Sequence, residues 1–386
     1  MRSSDGKEMK NVLIDKCIPR PKNSRSDEGV ALVLALVFIV LLTVIVIEFT
    51  YEMQVDATLI EQHTSTTEAY MAAKSIIALS MSILAADLLF GEEEAQIDST
   101  DVYDSLDEPW ALSTPLITLN DAMMSVQIDD EYGKINLNAL LYEDGGGAEK
   151  EFRPLVDALT VLFEVRQLEV LPIDVILDWL DADDQPRPEG AENDYYQNLE
   201  VPFECKNGPM DSIEELLLLP GITPEIFFGD AEDAEITFLP LNELLTVHGH
   251  PEGRVNINTA PFDVLEAMFT AEGRDPDPSQ KADDVLRRLE EVGPYRSVEE
   301  LRAEAILVEP PPPPPPPREG DAAAAQRPPP LPPPPDLFDV ASEVFRIQGD
   351  GQSNEAQVRV EAYIWRDTHG SGAAQMFRII DWHVIF

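Results

Sequence analysis

From Val30 to Ile47 the chain carries no charged residue, and Thr43 is the only polar side chain in the run. Closed by Glu48, the stretch is about as long as a helix must be to cross a hydrocarbon core, roughly 20 residues. Apolar residues then continue at helical spacing through Tyr51, Val55, Leu59 and Ile60, and again through Tyr70, Ala73, Ile76, Ile77, Leu84 and Leu88. No Pro or Gly interrupts between Val30 and Phe90. The spacing predicts one helix over 30–90, greasy all round in its first third and amphipathic beyond.

Two ordinary readings compete for this stretch. A cleaved secretory signal has a shorter apolar core and ends at small residues, which does not fit. A plain single-pass anchor fits the hydropathy as well as anything else. The edge of the run separates them: a charged polar leader, then Gly29, then apolar residues at once, then helix without a break. This resembles the type IV prepilin signature, which implies cutting after Gly29 by a prepilin peptidase and methylation of the new N-terminus at Val30. Most members of that family carry glutamate at the fifth mature position, where this chain has Leu34.

Charge is lopsided. The net formal charge is -46, and the leader Met1–Gly29 holds seven basic and five acidic residues, so the remainder carries -48. Nucleic acid and anionic lipid are poor partners for such a surface. Lys16, Arg20, Lys22 and Arg25 precede the apolar run, so the positive-inside tendency leaves the N-terminus cytoplasmic and exports the bulk of the chain. Of the two cysteines, Cys17 lies in the leader, which leaves Cys205 without an intramolecular disulfide partner after cleavage.

Beyond the helix, 91–107 reads as an acidic loop. Strands are expected at 115–119 and 124–128 around Asn120-Asp121, and a short one at 134–138. Helices are expected at 154–168, 172–180, 212–219, 224–228, 241–245, 261–269, 281–292 and 297–307. Residues 310–335, with eight prolines from Pro310 to Pro317, form an extended linker or surface loop. Alternation returns in 344–347, 358–365 and 377–386, a meander with its last turn at Gly370 and Gly372.

The middle of the chain repeats itself. Lys134-Ile135-Asn136-Leu137-Asn138 is echoed by Arg254-Val255-Asn256-Ile257-Asn258, and Ser212-Ile213-Glu214-Glu215-Leu216 by Ser297-Val298-Glu299-Glu300-Leu301. Each Ser-x-x-Glu is a capping box that starts a helix, so the insertion reads as two related bundles.

Three motifs bear on chemistry. Asp181, Asp183, Asp184, Glu192, Asn193 and Asp194 crowd a Pro/Gly-rich loop after an apolar helix. Calcium takes six to eight oxygen ligands in flexible geometry, which such a loop supplies; a plain acidic solvated loop is the alternative. Leu219-Pro220-Gly221-Ile222 resembles the hairpin of helix-hairpin-helix modules, but no Lys or Arg occurs between Lys206 and Arg254, so a phosphate would be repelled. His248-Gly249-His250 lacks the third ligand that a metal site needs. No catalytic constellation appears, and a non-enzyme is expected.

The prepilin-like edge now joins Tyr132-Gly133-Lys134-Ile135-Asn136-Leu137-Asn138, Asp178-Trp179-Leu180-Asp181-Ala182-Asp183-Asp184, Gly190-Ala191-Glu192-Asn193-Asp194-Tyr195-Tyr196 and Val255-Asn256-Ile257-Asn258-Thr259-Ala260. Together they resemble the minor pseudopilin K family of type II secretion systems, from Gly29 to Phe386.

The resemblance implies an α+β fold: a long N-terminal transmembrane helix and a pilin-like antiparallel sheet with a large inserted all-α domain. Its divisions would be a leader 1–29, the helix 30–90, a sheet domain 91–138 and 336–386, a helical insertion 139–309 and the linker 310–335. It further implies a bacterial inner-membrane protein with its bulk in the periplasm. Calcium in the insertion and partnership with minor pseudopilins I and J in the pseudopilus are implied as well. Leu34 cannot supply the carboxylate that pairs with a neighbour's N-terminus, and a bulky insertion would clash inside a helical stack; both fit a subunit at the tip. A membrane-tethered helix-hairpin-helix DNA receptor is the rival, and its only basic face would be Arg287, Arg288, Arg296 and Arg302. A calcium-regulated adhesin is a weaker third reading.

Overall fold

The computed structural model describes residues 25–94, 102–112, 116–119, 122–143, 149–165, 173–229, 239–273, 276–304, 306, 336–367 and 377–385. Most of the leader, the turn at Asn120-Asp121, the proline tract and the Gly370–Gly372 turn lie outside the described residues. The chain divides into two compact units, Met1–Thr64 and Ser65–Phe386.

An unbroken run without Pro, and without Gly between Val30 and Phe90, gives helix α1, Arg25–Glu94. In the first unit every described side chain of α1 is exposed. The hydroxyls there are satisfied within the helix: Thr43 Oγ1 donates to the Ile39 carbonyl at 2.7 Å and Thr50 Oγ1 to that of Val46 at 2.7 Å.

The second unit begins with the rest of α1 and continues through a hairpin, β1 (Ile117–Leu119) and β2 (Ala122–Asp130), paired antiparallel as expected. The insertion follows. It comprises β3 (Ile135–Asn136), β4 (Leu141–Glu143), β5 (Glu149–Glu151), α2 (Arg153–Val165), α3 (Ile173–Leu180), α4 (Asn193–Tyr196), a 3-10 turn at Ile213–Leu218, α5 (Pro224–Phe228) and α6 (Leu241–Leu244). Then come β6 (Leu245–Thr246), β7 (Val255–Asn256), α7 (Phe262–Glu272), α8 (Pro278–Glu291), α9 (Val298–Ala303) and β8 (Phe338–Asp339). Three strands close the chain: β9 (Val344–Ser353), β10 (Ala356–Arg366) and β11 (Phe377–Ile385).

The main sheet runs β1-β2-β9-β10-β11, antiparallel throughout, so the insertion is spliced between two neighbouring strands. Its core face meets α1: Ala69, Ala73, Ile76, Ile77 and Leu84 pack against Val126, Ile347, Val360 and Ile364. Trp110 closes one end, edge-on to Phe345 at 5.1 Å between ring centroids. A separate apolar core fills the insertion.

The strand expected at 134–138 is only two residues long. Asn136 turns the chain by accepting from the Asn138 backbone N–H at 3.1 Å, and a 3-10 turn over Leu137–Ala139 follows. β3 pairs in parallel with β6 rather than joining the main sheet. The echoed segment does the same, β7 pairing in parallel with β8. Among the described residues the helical insertion thus also holds three two-stranded pieces, the third being β4 paired with β5.

The repeat is structural as well as textual. Asn138 accepts from the Met210 N–H at 2.8 Å and donates to the Met210 carbonyl at 2.9 Å. Asn258 accepts from the Tyr295 N–H at 2.8 Å and donates to the Tyr295 carbonyl at 2.9 Å. In each half the gripped residue stands two before the capping serine, Ser212 or Ser297, whose side chains cap the turns that follow.

Candidate functional site

Residues 173–205 build a dense oxygen cluster from a simple local conflict. α3 is apolar on nearly every face, and Val175, Ile176, Leu177, Trp179 and Leu180 are all buried. That burial carries Asp178 inside with them, at 0% exposure. A buried carboxylate needs partners, and the loop after α3 folds back to supply them. The Arg187 backbone N–H donates to Asp178 Oδ2 at 3.1 Å, and its Nη1 donates to Asp178 Oδ1 at 2.7 Å. The same Nη1 also donates to Asp181 Oδ2. Gly190 is required at the crossing, because a Cβ there would lie 1.8 Å from Asp178 Oδ2.

Asp178, Asp181 and Glu192 each place an oxygen within 4.8 Å of the others, and all three residues are buried. Glu192 stands immediately before α4, yet its side chain makes no capping bond. Both of its carboxylate oxygens are buried without a hydrogen-bond partner. Burial, and then the charges of Asp178, Asp181 and Asp184, push the Glu192 carboxyl up to about 7. Burial likewise raises Asp178, against the lowering effect of Arg187.

The remaining residues expected at this site lie outside the buried trio. Asp183 is exposed and accepts from the Gln185 N–H at 2.8 Å. Asp184, also exposed, accepts from Asn193 Nδ2 at 3.0 Å. The Asn193 side-chain oxygen accepts from the Cys205 N–H at 2.8 Å, and Asp194 is exposed. Asp178 is the member that ligand density in the loop did not single out. A lone carboxylate between Leu177 and Trp179 in an apolar helix was the available signal.

A second acidic group, Asp87, Asp104 and Glu108, lies where α1, residues 102–112 and the end of β10 meet. There a cation is already in place. Arg366, fully buried, donates through Nη2 to both Asp104 oxygens at 2.5 and 2.7 Å and lies over the Phe345 ring at 4.7 Å.

The hairpin region is acidic in space as in sequence. The Lys206 ammonium is held by Asp211 at 2.6 Å and Glu215 at 2.5 Å. In the second repeat Arg287 pairs with Asp284, Arg288 reaches Glu304 at 3.5 Å, and Arg302 reaches Asp336 at 3.3 Å. His248 packs at a tilt on Tyr363, 4.6 Å between ring centroids, and His250 meets Tyr132 edge-on at 5.2 Å.

At the other end of the chain, α1 contains a stretch long and apolar enough to cross a membrane, by length and composition. Gly29 and Val30 are both exposed within it, and Leu34 is 53% exposed.

Residues 133–228 match the family model of the first domain of type II secretion system protein K. The chain is 28% identical over 283 residues to the type II secretion system protein K of Pseudomonas aeruginosa, covering 70% of this chain and 79% of that one. It is 29% identical over 254 residues to the Klebsiella pneumoniae protein K, covering 64% and 71%. Among solved structures it resembles a chain of the GspK-GspI-GspJ complex from the type 2 secretion system of enterotoxigenic Escherichia coli. The TM-score there is 0.57 at 19% identity, over 86% of this chain and 99% of that one, a likeness of fold.

Proposed function

From the premise that this chain belongs to the protein K family of type II secretion systems, we propose that it is the minor pseudopilin that caps and initiates the pseudopilus. The observation that carries this reading is the segment Val30–Ile47, where apolar side chains are exposed on every face of a continuous helix. Lipid is the natural solvent for such a segment before assembly, and sister helices are its natural neighbours afterwards. The leader is removed after Gly29 by a prepilin peptidase, and Val30 becomes the methylated N-terminus. The bulk of the chain works on the periplasmic side of the inner membrane, by binding rather than catalysis.

The solved relative is a complex of K with I and J, and this chain takes the same two kinds of minor pseudopilin as partners. Tip placement follows from bulk and from Leu34. The insertion occupies residues 131–343 between adjacent strands, too large a body for intermediate levels of a stack, and Leu34 offers no carboxylate to a neighbour's ammonium. A DNA-receptor reading draws no support from the comparisons, and three of the four arginines it needs, Arg287, Arg288 and Arg302, are paired with carboxylates.

Intact mass of the protein isolated from membranes tests the route. The expected species is Val30–Phe386 plus one methyl group; an uncut chain in cells with active peptidase overturns it. Co-isolation of I and J with the membrane-extracted protein tests the partnership.

A calcium ion is the second part of the reading. Three buried carboxylates, one of them with no donor acting on it but the Cys205 thiol, fit a hard divalent cation. Asp178, Asp181 and Glu192 would hold it, and the ion would tie the end of α3 to the loop that precedes α4. Melting in calcium and in excess chelator tests this, with the lower midpoint expected in chelator.

A further inference from the structure

We propose that Arg187 is an internal counter-cation of this acidic centre, holding the position between two of its carboxylates until a divalent cation displaces it. The inference rests on the calcium reading above and deepens it.

Its basis is geometric. Arg187 Nη1 bridges Asp178 Oδ1, at 2.7 Å, and Asp181 Oδ2. A divalent cation shared by those residues must approach the same two oxygens, and carboxylate oxygens ligate calcium at about 2.3–2.6 Å. Guanidinium and metal therefore exclude one another from that position. The exchange is incomplete in charge, since one guanidinium faces three carboxylates, and Glu192 is the group left over, with neither oxygen partnered. Arginine serves two of the three acids; a divalent ion would serve all of them.

Arg187 also has somewhere to go. Its side chain is 22% exposed, and its Nε stands 3.7 Å from Glu151 Oε1 on β5. Its backbone N–H bond to Asp178 does not depend on the side chain and would persist through the swing. The loop can thus stay folded while the cation changes. The contrasting centre at Arg366 has no such exit, because Arg366 is fully buried.

Two consequences separate this from an ordinary structural salt bridge. Arg187 stabilises the metal-free protein, and it weakens metal binding by the fraction of time it occupies the site. If it is in place more than about nine-tenths of the time, removing it tightens apparent affinity roughly tenfold or more.

The test uses the full-length protein in detergent, titrated calorimetrically with calcium chloride and melted in calcium and in chelator. R187Q, which removes the charge and the guanidinium fork and leaves a shorter neutral amide, is expected to bind calcium at least about tenfold more tightly than wild type. Its chelated form is expected to melt below chelated wild type, while the loaded forms melt together. R187K, a cation without the fork, should fall between the two. Equal or weaker calcium binding by R187Q overturns the counter-cation role while leaving the metal site standing. Absence of calcium binding in wild type and R187Q alike overturns the calcium reading, and the exchange with it. A variant that folds only with calcium present supports the proposal.

Discussion

A Cβ placed on Gly351 would stand 2.0 Å from the carbonyl oxygen of Ala69. At Gly349, two residues along β9, it would stand 2.8 Å from the carbonyl oxygen of Ala73. Ala69 and Ala73 are themselves fully buried. Strand and helix therefore meet backbone to backbone, with small residues on both sides of the contact. At Gly351 the nearest neighbours are all main-chain atoms, which cannot rotate away, whereas at Gly349 the Ile76 and Ile77 side chains share the contact. G351A is expected to lower stability by about 2–3 kcal/mol as the helix is pushed off the sheet. G349A should cost less than G351A. Chemical denaturation midpoints, with unchanged denaturant slopes, check the order.

Asn138 and Asn258 each grip one backbone residue by its N–H and its carbonyl together, and they do so at equivalent places in the two repeats. Asn258 is buried, and Tyr295 is buried with it. N258A would leave two buried backbone groups unpartnered, at about 1–3 kcal/mol each. N258D keeps the acceptor for the Tyr295 N–H but loses the donor to its carbonyl, so it should fall between N258A and wild type. Thermal melts of the three proteins test the ranking. Equal melting of N258A and wild type would show that water replaces the amide without loss.

The elements that were legible in the sequence are those in which a side chain states its own local role. Ser212 and Ser297 announce their helices because serine followed by glutamate three residues later satisfies orphaned first-turn amides. The strands of the meander show through alternation, because one face of the sheet packs on α1. Pairings set by distant backbone were not legible. β3 finds β6 across more than a hundred residues, and two-residue strands have no period to detect. The extension of β9 through Gly349 and Gly351 was hidden for a related reason. Glycine reads as a strand breaker unless another backbone is known to approach.

The acidic site divides the same way. The loop advertised itself by ligand density, which brought in Asp181 and Glu192, now seen together with Asp178, and also Asp183 and Asp194, which are exposed. Asp178 was obscured by its setting, since its neighbours read as core helix. Which of seven oxygen-bearing side chains converge depends on how the Pro186–Gly190 turn folds back, and that is fixed by contacts to Asp178 itself.

Glu108 gives a pH dependence with a definite sign. Burial first, and the Asp87 carboxylate second, push its carboxyl from 4.5 up to about 8. The folded state thus holds this proton more tightly than the unfolded chain does. The stabilisation is fully present below about 4.5 and is lost as pH rises toward about 8. E108Q mimics the protonated form and keeps an oxygen to accept from the Ser105 N–H or Trp110 Nε1, which reach Glu108 at 3.0 and 2.8 Å. The variant should match wild type near pH 4 and melt above it at pH 8. Parallel melting curves for the two proteins across that range would place the charge of Glu108 outside the stability balance.

Glu192 yields the sharpest separation between a metal centre and a merely acidic loop, because its substitution should act in opposite directions under two conditions. In chelator the carboxylate lies buried beside Asp178 and Asp181 with neither oxygen partnered, so its charge opposes folding. Glutamine removes that charge and brings amide hydrogens toward the two aspartates. E192Q is therefore expected to melt above wild type without metal. In calcium the order should reverse. A ligand at a hundred times its dissociation constant stabilises a fold by about 2.7 kcal/mol, and the variant, short of one anionic ligand, forfeits most of that. A solvated acidic loop has no reason to invert. If E192Q and wild type keep the same order in calcium and in chelator, the carboxylates are not ligands of a shared ion, and their crowding must be relieved by Arg187 and protons alone.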